Sequence, residues 1–127
     1  MNEDTQGEGS LLAEVDALVG DWLSLPEVAE RLGTDVSRVR RLVDDHDLLA
    51  LRRGRPRVLS VPAALVDPEP LPALAGTVSV LADSGYRDLE ALRWLFTHDD
   101  ALADTPVGQL RKGHKTEIRR RAQALAF

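Results

Sequence analysis

Two clusters of arginine are the most prominent candidate binding residues in this 127-residue chain. The first lies in SRVRR, residues 37–41, and the second in RRGRPR, residues 52–57. A guanidinium group stays protonated at neutral pH and presents a planar fork of N–H donors, which matches the paired acceptors of a phosphate or of a guanine edge. Both clusters therefore predict contact with a polyanion.

The whole chain carries a net charge of −5, but its charge is segregated along the sequence. Residues 37–57 carry seven arginines against three aspartates, a net charge of +4, and residues 111–127 carry six basic residues against one glutamate, a net charge of +5. Residues 1–36 and 58–110 are acidic, with net charges of −8 and −6. A ligand therefore meets a field that depends on the surface it approaches.

The first cluster is predicted to lie on the second of two short helices that are joined by a glycine turn. Ser24 and Glu27 have the spacing of a capping box, and Gly33 is placed to stop the helix that follows them. Thr34 or Asp35 can cap a second helix. The apolar residues of this second helix repeat at the three-to-four spacing of a buried stripe, namely Val36, Val39, Leu42 and Val43. Two helices joined in this way are the helix-turn-helix pattern.

The second cluster lies at the tip of a predicted β-hairpin. Residues 48–61 form two β-prone arms around a turn that Gly54 and Pro56 mark. A basic-tipped hairpin directly after the second helix is a wing, and residues 62–66 can add one helical turn. The order of elements predicts a winged helix-turn-helix whose recognition helix spans residues 36–45.

The predicted DNA contacts of the recognition helix lie off its buried stripe. Ser37, Arg38 and Arg41 can face base edges or phosphates, because the amino-terminal end of a recognition helix enters the major groove. Arg40 can instead reach a backbone phosphate. An arginine-rich helix taken alone is also compatible with a solvated surface, and the conjunction of helices, turn and hairpin is what favours DNA.

The predicted contacts of the wing are four arginines that follow a flanking DNA strand or enter the minor groove, namely Arg52, Arg53, Arg55 and Arg57. Such contacts supply affinity more than sequence choice. Because contacts with phosphate release counterions, binding should weaken steeply with salt.

The remaining sequence divides into a tail and a helical region. Residues 1–10 are predicted to be a flexible acidic tail, residues 11–66 the winged helix-turn-helix domain, and residues 67–127 a helical domain. DPEPLP, residues 67–72, contains three prolines and makes the best boundary. A first helix starts at Leu11 and ends at Gly20. The predicted fold class is mainly α, with a small β-hairpin wing and a C-terminal helical region.

Four helices are predicted after the boundary, over residues 74–82, from a cap at Asp88, from a cap at Thr105, and over residues 115–127. The last helix contains IRRRAQALAF, for which two interpretations remain open. It is an amphipathic helix with its arginines in water, or it makes a second contact with DNA.

No arrangement of residues predicts an enzyme, a metal site or a cofactor. GQLRKGHKT, residues 108–116, approximates a phosphate-binding loop, but His114 interrupts that motif and no buried strand precedes it. The three histidines lack metal-ligand spacing, and Asp99 with Asp100 is typical of a loop or a helix start.

Composition favours a cytoplasmic protein. The chain has no cysteine, which excludes disulfides, zinc fingers and thiol catalysis. No apolar run approaches the roughly 20 residues that span a bilayer, and residues 1–10 are acidic and polar, unlike a secretory signal. We expect a soluble cytoplasmic protein without membrane contact.

Three stretches together resemble a known family, the actinobacterial winged helix-turn-helix DNA-binding proteins that are substrates of the serine/threonine kinase PknL. These stretches are LSLPEVAERLGTDVSRVRRLVDDHDLLALRRG, GYRDLEALRWLFTHDDAL and the terminal RRRAQALAF. The motif GYRD-x-E-x-x-RWLF at residues 85–96 and RRAQA at residues 120–124 are its more specific parts. The resemblance implies a cytoplasmic DNA-binding regulator whose amino-terminal tail is phosphorylated on threonine, with phosphorylation reducing DNA binding. The only threonine in the tail of this chain is Thr5.

The second half also resembles the toxin-binding domain of MbcA/ParS antitoxins, through GYRDLEALRWLFTHDDALADTPVGQLRKG. In that family a tryptophan-bearing helix precedes an acidic turn and a Thr-Pro helix start, which Trp94, Thr105 and Pro106 match. Ala103 and Asp104 stand where that family has a glycine pair.

Two hypotheses follow. The first is a DNA-binding transcriptional regulator whose partners are double-stranded DNA and a Ser/Thr protein kinase. The alternative is an antitoxin-like protein-interaction module whose C-terminal helices bind a partner protein. Those helices could also form a homodimer.

Overall fold

The computed structural model describes the backbone of residues 3–126 and the side chains of residues 9–126. Within residues 3–126 the chain forms seven α-helices, one 3-10 turn and a three-stranded antiparallel sheet. The predicted fold class is confirmed. None of the described helices is long and apolar enough to cross a membrane.

The first half contains the winged helix-turn-helix. Its elements are α1 (Glu3–Val19), β1 (Trp22–Ser24), α2 (Leu25–Leu32), α3 (Val36–Asp44), β2 (Leu51–Arg53), β3 (Val58–Pro62) and a 3-10 turn over Ala63–Leu65. The second half is helical, as predicted. Its elements are α4 (Leu74–Asp83), α5 (Asp88–Phe96), α6 (Pro106–Arg111) and α7 (Lys115–Ala124).

Helix α1 begins at Glu3, whereas the sequence predicted a flexible tail over residues 1–10 and a helix from Leu11. The helix start was predicted from apolar periodicity, which begins only at Leu11. Residues 1 and 2 lie outside the described residues.

Strand β1 was not predicted. It pairs with β3, which lies at the centre of the sheet between β1 and β2. Gly20 has a φ of 78° and redirects the chain out of α1, so that Leu23 enters the core opposite Val61. A strand of three residues is too short to show the period-two alternation by which strands are recognised in a sequence.

Two helix ends in the second half differ from prediction. Asp88 is the first residue of α5 and not its cap; the backbone N–H of Arg87, the capping residue, donates to the Glu90 carboxylate at 3.1 Å. This hydrogen bond and that of the Arg87 side chain hold the pKa of Glu90 below its usual value. Helix α7 ends at Ala124, and Phe127 lies outside the described residues.

The two halves share one hydrophobic core. Helix α1 packs against α5, so an element that precedes the helix-turn-helix is in contact with the C-terminal region. Val15 of α1, Leu49 before the wing and Leu92 of α5 are all almost fully buried in the same cluster. The winged helix-turn-helix therefore packs against the C-terminal helices α4–α7, which we call the helical platform.

Arg111, at the end of α6, joins the two halves through the backbone. Its guanidinium donates to the carbonyl oxygens of Ala64 and Glu69, both at 2.6 Å, and of Asp67 at 3.2 Å. These carbonyls belong to the proline-rich boundary and the turn before it. One side chain thus donates hydrogen bonds to backbone carbonyls that receive none from a helix or a sheet.

We expect Arg111→Ala to lower the free energy of unfolding by about 1.5–3 kcal/mol, the range for hydrogen bonds to a charged group. Urea denaturation measures the change. Arg55→Ala is the control, because Arg55 is exposed and has no partner in the described chain; it should change stability by less than about 0.5 kcal/mol. Equal losses in the two variants would contradict a bridging role for Arg111.

Candidate nucleic-acid interface

The position of helix α3 is set by its N-terminal cap and by one buried side chain. The Asp35 carboxylate accepts a hydrogen bond from the Arg38 N–H at 2.8 Å, and Val39 is fully buried against the rest of the helix-turn-helix. Gly33 has a φ of 67° and makes the left-handed turn between α2 and α3. Burial of Val39 fixes which side of α3 faces the solvent.

The predicted contacts of α3 lie on that exposed side. Ser37, Arg38, Arg40 and Arg41 are all exposed, while Val36, Leu42 and Val43 are half-buried toward the core. The apolar stripe read from the sequence therefore separates packing residues from solvent-facing ones, as predicted.

The wing is a hairpin in which Arg52 lies opposite Leu59 and Arg53 opposite Val58. Gly54 has a φ of 86° and begins the turn. Arg52, Arg55 and Arg57 are exposed, whereas Arg53 is half-buried. Because successive side chains of a strand point to opposite faces, Arg52 and Arg53 cannot both face one ligand.

Arg53 points toward α1. Its guanidinium donates two hydrogen bonds to the Asp16 carboxylate, at 3.0 and 2.8 Å, and lies 5.0 Å from the centroid of the Trp22 ring. A bidentate pair of this kind is among the stronger charge-assisted contacts, and the indole face adds a cation–π attraction. Arg53 thus ties the wing to α1 and β1.

Helix α3 and the wing border one groove of about 200 Å³. Arg40 and Arg52 line it from the two elements, and its floor is apolar, including Val36 and Val58. Val58 is 47% exposed, which is unusual for a large aliphatic side chain in this protein. The two arginine clusters therefore form one continuous surface.

The arginines of this surface are free of internal partners. The side chains of six exposed arginines make no hydrogen bond or ion pair within the part of the chain whose side chains are described, namely Arg38, Arg40, Arg41, Arg52, Arg55 and Arg57. We call this set the open arginine surface. An exposed unpaired guanidinium can bind an incoming anion without breaking an existing contact.

Most arginines elsewhere are engaged within the protein. Arg31 pairs with Asp67 at 3.3 Å, and Arg93 lies 3.8 Å from Glu14. On α7, Glu117 pairs with both Arg120 and Arg121, and these contacts hold the pKa of Glu117 below its usual value. The predicted amphipathic interpretation of α7 fits this internal pairing better than a second contact with DNA.

The other candidate residues are not brought together. Thr5 lies in the α1 backbone, and its side chain is outside the described residues. Residues 108–116 run from within α6 into α7, so no strand precedes a loop there. No group of histidine, aspartate and glutamate among the described residues could hold a metal ion.

Asp16 and Trp22 were not predicted as partners of the wing. The period-two alternation of β2 was a signal that one of Arg52 and Arg53 must turn inward. Nothing in the spacing indicated that the inward arginine would meet Asp16, which lies 37 positions away.

Comparisons with known proteins match both halves of the chain. A family model described as the wHTH domain of DNA-binding protein Rv2175c matches residues 10–66. A second model, the Rv2175c C-terminal domain of unknown function, matches residues 71–126.

One relative and one solved structure agree with these models. The DNA-binding protein Rv2175c of Mycobacterium tuberculosis (strain ATCC 25618 / H37Rv) is 36% identical over 133 residues, which cover 94% of this chain and 91% of the relative. The NMR structure of Rv2175c superposes with a TM-score of 0.74 at 34% identity, covering 84% of this chain and 82% of that chain.

We expect Arg53→Ala to lower the free energy of unfolding by about 1 kcal/mol, since it removes a bidentate ion pair and a cation–π contact at a half-exposed site. Asp16→Asn should cost about the same, and the double variant should cost little more than either alone. Urea denaturation of the four proteins measures this coupling. Additive losses from the two substitutions would show that the residues act independently.

Proposed function

We propose that this chain, which belongs to the Rv2175c family of winged helix-turn-helix DNA-binding proteins, is a transcriptional regulator that binds duplex DNA through α3 and the wing. The family is one of DNA-binding proteins and not of enzymes. The single observation that carries the proposal is the open arginine surface, which gathers unpaired cations on the two elements that a winged helix-turn-helix presents to DNA.

The amino-terminal end of α3 enters the major groove in this proposal. Ser37, Arg38 and Arg41 read base edges or bind phosphates there, and Arg is suited to guanine because its fork reaches O6 and N7 together. Arg40 and Arg52 bind the backbone beside the groove that they share. Arg55 and Arg57 extend from the wing tip to the flanking strand or its minor groove.

Arg53 has a different role in this proposal. Because Arg53 contacts Asp16 and Trp22, it holds the wing in position and does not touch DNA. It remains a contributor to the interface, because the position of Arg52, Arg55 and Arg57 depends on where the hairpin is held.

The acidic segments orient the protein. Residues 1–36 and 58–110 carry net charges of −8 and −6, so the surfaces that they form are repelled by the phosphate backbone. This repulsion favours approach by the open arginine surface and disfavours non-specific binding by other faces. Residues 67–127 then act as the platform that packs behind the DNA-binding unit of residues 11–66, and as a surface for a homodimer or a partner protein.

We expect the double variant Arg38→Ala with Arg41→Ala to bind a duplex from a selected pool at least about 30-fold more weakly than the unaltered chain. The slope of log affinity against log salt should fall by about 0.9 for each lost phosphate contact. Fluorescence anisotropy across a salt series measures both quantities. Arg120→Ala is the matched control, because it removes an exposed arginine that already pairs with Glu117.

A second pair of variants separates base reading from charge. Arg38→Lys with Arg41→Lys keeps the charge but loses the planar fork, so it should retain most of the salt slope and lose discrimination between duplexes. If the unaltered chain bound no duplex even at low salt, the proposal of DNA binding would be contradicted. The alternative of an antitoxin-like module that binds a protein would then be favoured.

Phosphorylation of Thr5 is part of the proposed regulation. A phosphate adds about −1.5 to −2 charges at neutral pH. Thr5 lies in α1, the helix that also carries Asp16 and so contacts the wing. The added charge competes with DNA phosphate for the open arginine surface.

We expect the phosphomimetic Thr5→Glu to weaken DNA binding by about threefold to tenfold at low salt, with a smaller effect at high salt, because the competition is electrostatic. Thr116→Glu, an exposed threonine on α7, is the control and should have little effect. Incubation with a Ser/Thr kinase followed by mass spectrometry tests the modification. Unmodified Thr5, or equal effects of the two glutamates, would count against this regulation.

A further inference from the structure

A cavity of about 250 Å³ lies at the seam between the helix-turn-helix and the C-terminal helices. One wall is formed by Asp45 and His46, which directly follow α3, and the other by α4 and the beginning of α5. The amino-terminal end of α3 is the end that enters the major groove, so this cavity lies behind the proposed DNA surface. It is separate from the groove between α3 and the wing.

The floor of the cavity is apolar because small side chains leave the space unfilled. Val78 and Ala91 are almost fully buried at its base, and Ala82 stands exposed at its rim. Tyr86 is half-buried and lends an aromatic ring to the wall. An apolar body that enters here is removed from water against these side chains.

The polar groups at the cavity favour a cation. Asp45 and Asp88 supply two carboxylates, and no lysine or arginine is among the described lining residues. His46 lies close to this rim, with its Nε2 atom 3.4 Å from Oδ1 of Asp88. No ion pair among the described residues joins either carboxylate to a lysine or an arginine, so each can accept hydrogen bonds from an ammonium group.

The arrangement does not suit a metal ion. No group of three histidine, aspartate or glutamate side chains among the described residues could hold one. An organic cation requires fewer charged ligands, because its apolar part contributes through burial and its ammonium group can also lie against an aromatic ring.

We propose that this cavity binds a small organic cation, an amine carried on a compact apolar body. The apolar body occupies the floor around Val78 and Ala91, and the ammonium group lies between Asp45 and Asp88. A bound amine contacts the end of α3 and the C-terminal helices at once. This site does not rest on the proposed DNA binding and would exist without it.

The size of the cavity sets the choice of probe. An apolar cavity of about 150 Å³ holds a benzene ring, so 250 Å³ accommodates a ring with a short arm. The probe is 2-phenylethylamine. Its matched controls are 2-phenylethanol, which is neutral, and phenylacetate, which is an anion of similar size.

We expect 2-phenylethylamine to bind the full chain with a Kd of about 1 mM, as suits a ligand of this size. Binding should be at least about fivefold tighter than that of 2-phenylethanol, and phenylacetate should not saturate, because the rim is acidic. Titration in two-dimensional amide NMR at about 0.15 M salt measures all three. The shifted amides should include those of Val78, Tyr86 and Ala91.

Three variants locate the site. Ala82→Phe places a ring at the rim and should abolish the shifts, whereas Ala13→Phe, an exposed alanine of α1 outside the cavity, should leave them unchanged. Asp88→Asn keeps the shape of the rim and should reduce the preference for the amine over the alcohol. This variant, with the comparison of probes on the unaltered chain, keeps the test valid if Ala82→Phe does not fold.

Three results would overturn the proposal. The first is an absence of shifts at these amides with about 10 mM amine, well above the expected Kd. The second is equal binding of amine, alcohol and carboxylate. The third is a preference for the amine that Asp88→Asn leaves unchanged.

Discussion

Strand β3 pairs with a neighbour on both of its edges, and this double pairing determines where the helix-turn-helix and the wing lie. On one side β3 pairs with β2 and makes the wing; on the other it pairs with β1, whose last residue, Ser24, is also the capping residue of α2. A single strand therefore sets the position of the helix-turn-helix relative to the wing. Without that registry, Arg40 on α3 and Arg52 on β2 would not line the same groove.

The distribution of charge follows from this framework. Arg53 is turned inward to Asp16 by the alternation of β2, and the same alternation turns Arg52 outward. Arg111 and Arg121 are engaged by carbonyls and carboxylates of the helical platform. The arginines left open are thereby concentrated on α3 and the wing, which explains how a chain with a net charge of −5 can present a cationic surface.

The sequence predicted the elements whose signals are local. The capping box of Ser24 and Glu27, the glycine turn at Gly33, the hairpin around Gly54 and the Thr105 cap are all present, because each depends on residues a few positions apart. The candidate surface on α3 followed from the same periodicity, since Val39 points inward and Arg38 outward.

The features that sequence could not predict depend on distant partners. Strand β1 exists because β3 offers it an edge, and the inward arginine of the wing meets Asp16 only after α1 has packed. The contacts of Arg111 with carbonyls more than 40 positions away, like the cavity behind α3, arise where the two halves meet. The spacing of residues along the chain carries no information about these long-range contacts.

A map of the DNA-contacting residues distinguishes the open arginine surface from the other faces of the protein. Amide NMR spectra of the full chain, recorded as duplex DNA is added at about 0.1 M salt, report which backbone groups change environment. We expect the largest changes at residues 37–41 and 52–57, with small changes on α7. Changes centred on α7, with α3 and the wing unaffected, would contradict the assignment of the open arginine surface as the site of DNA binding.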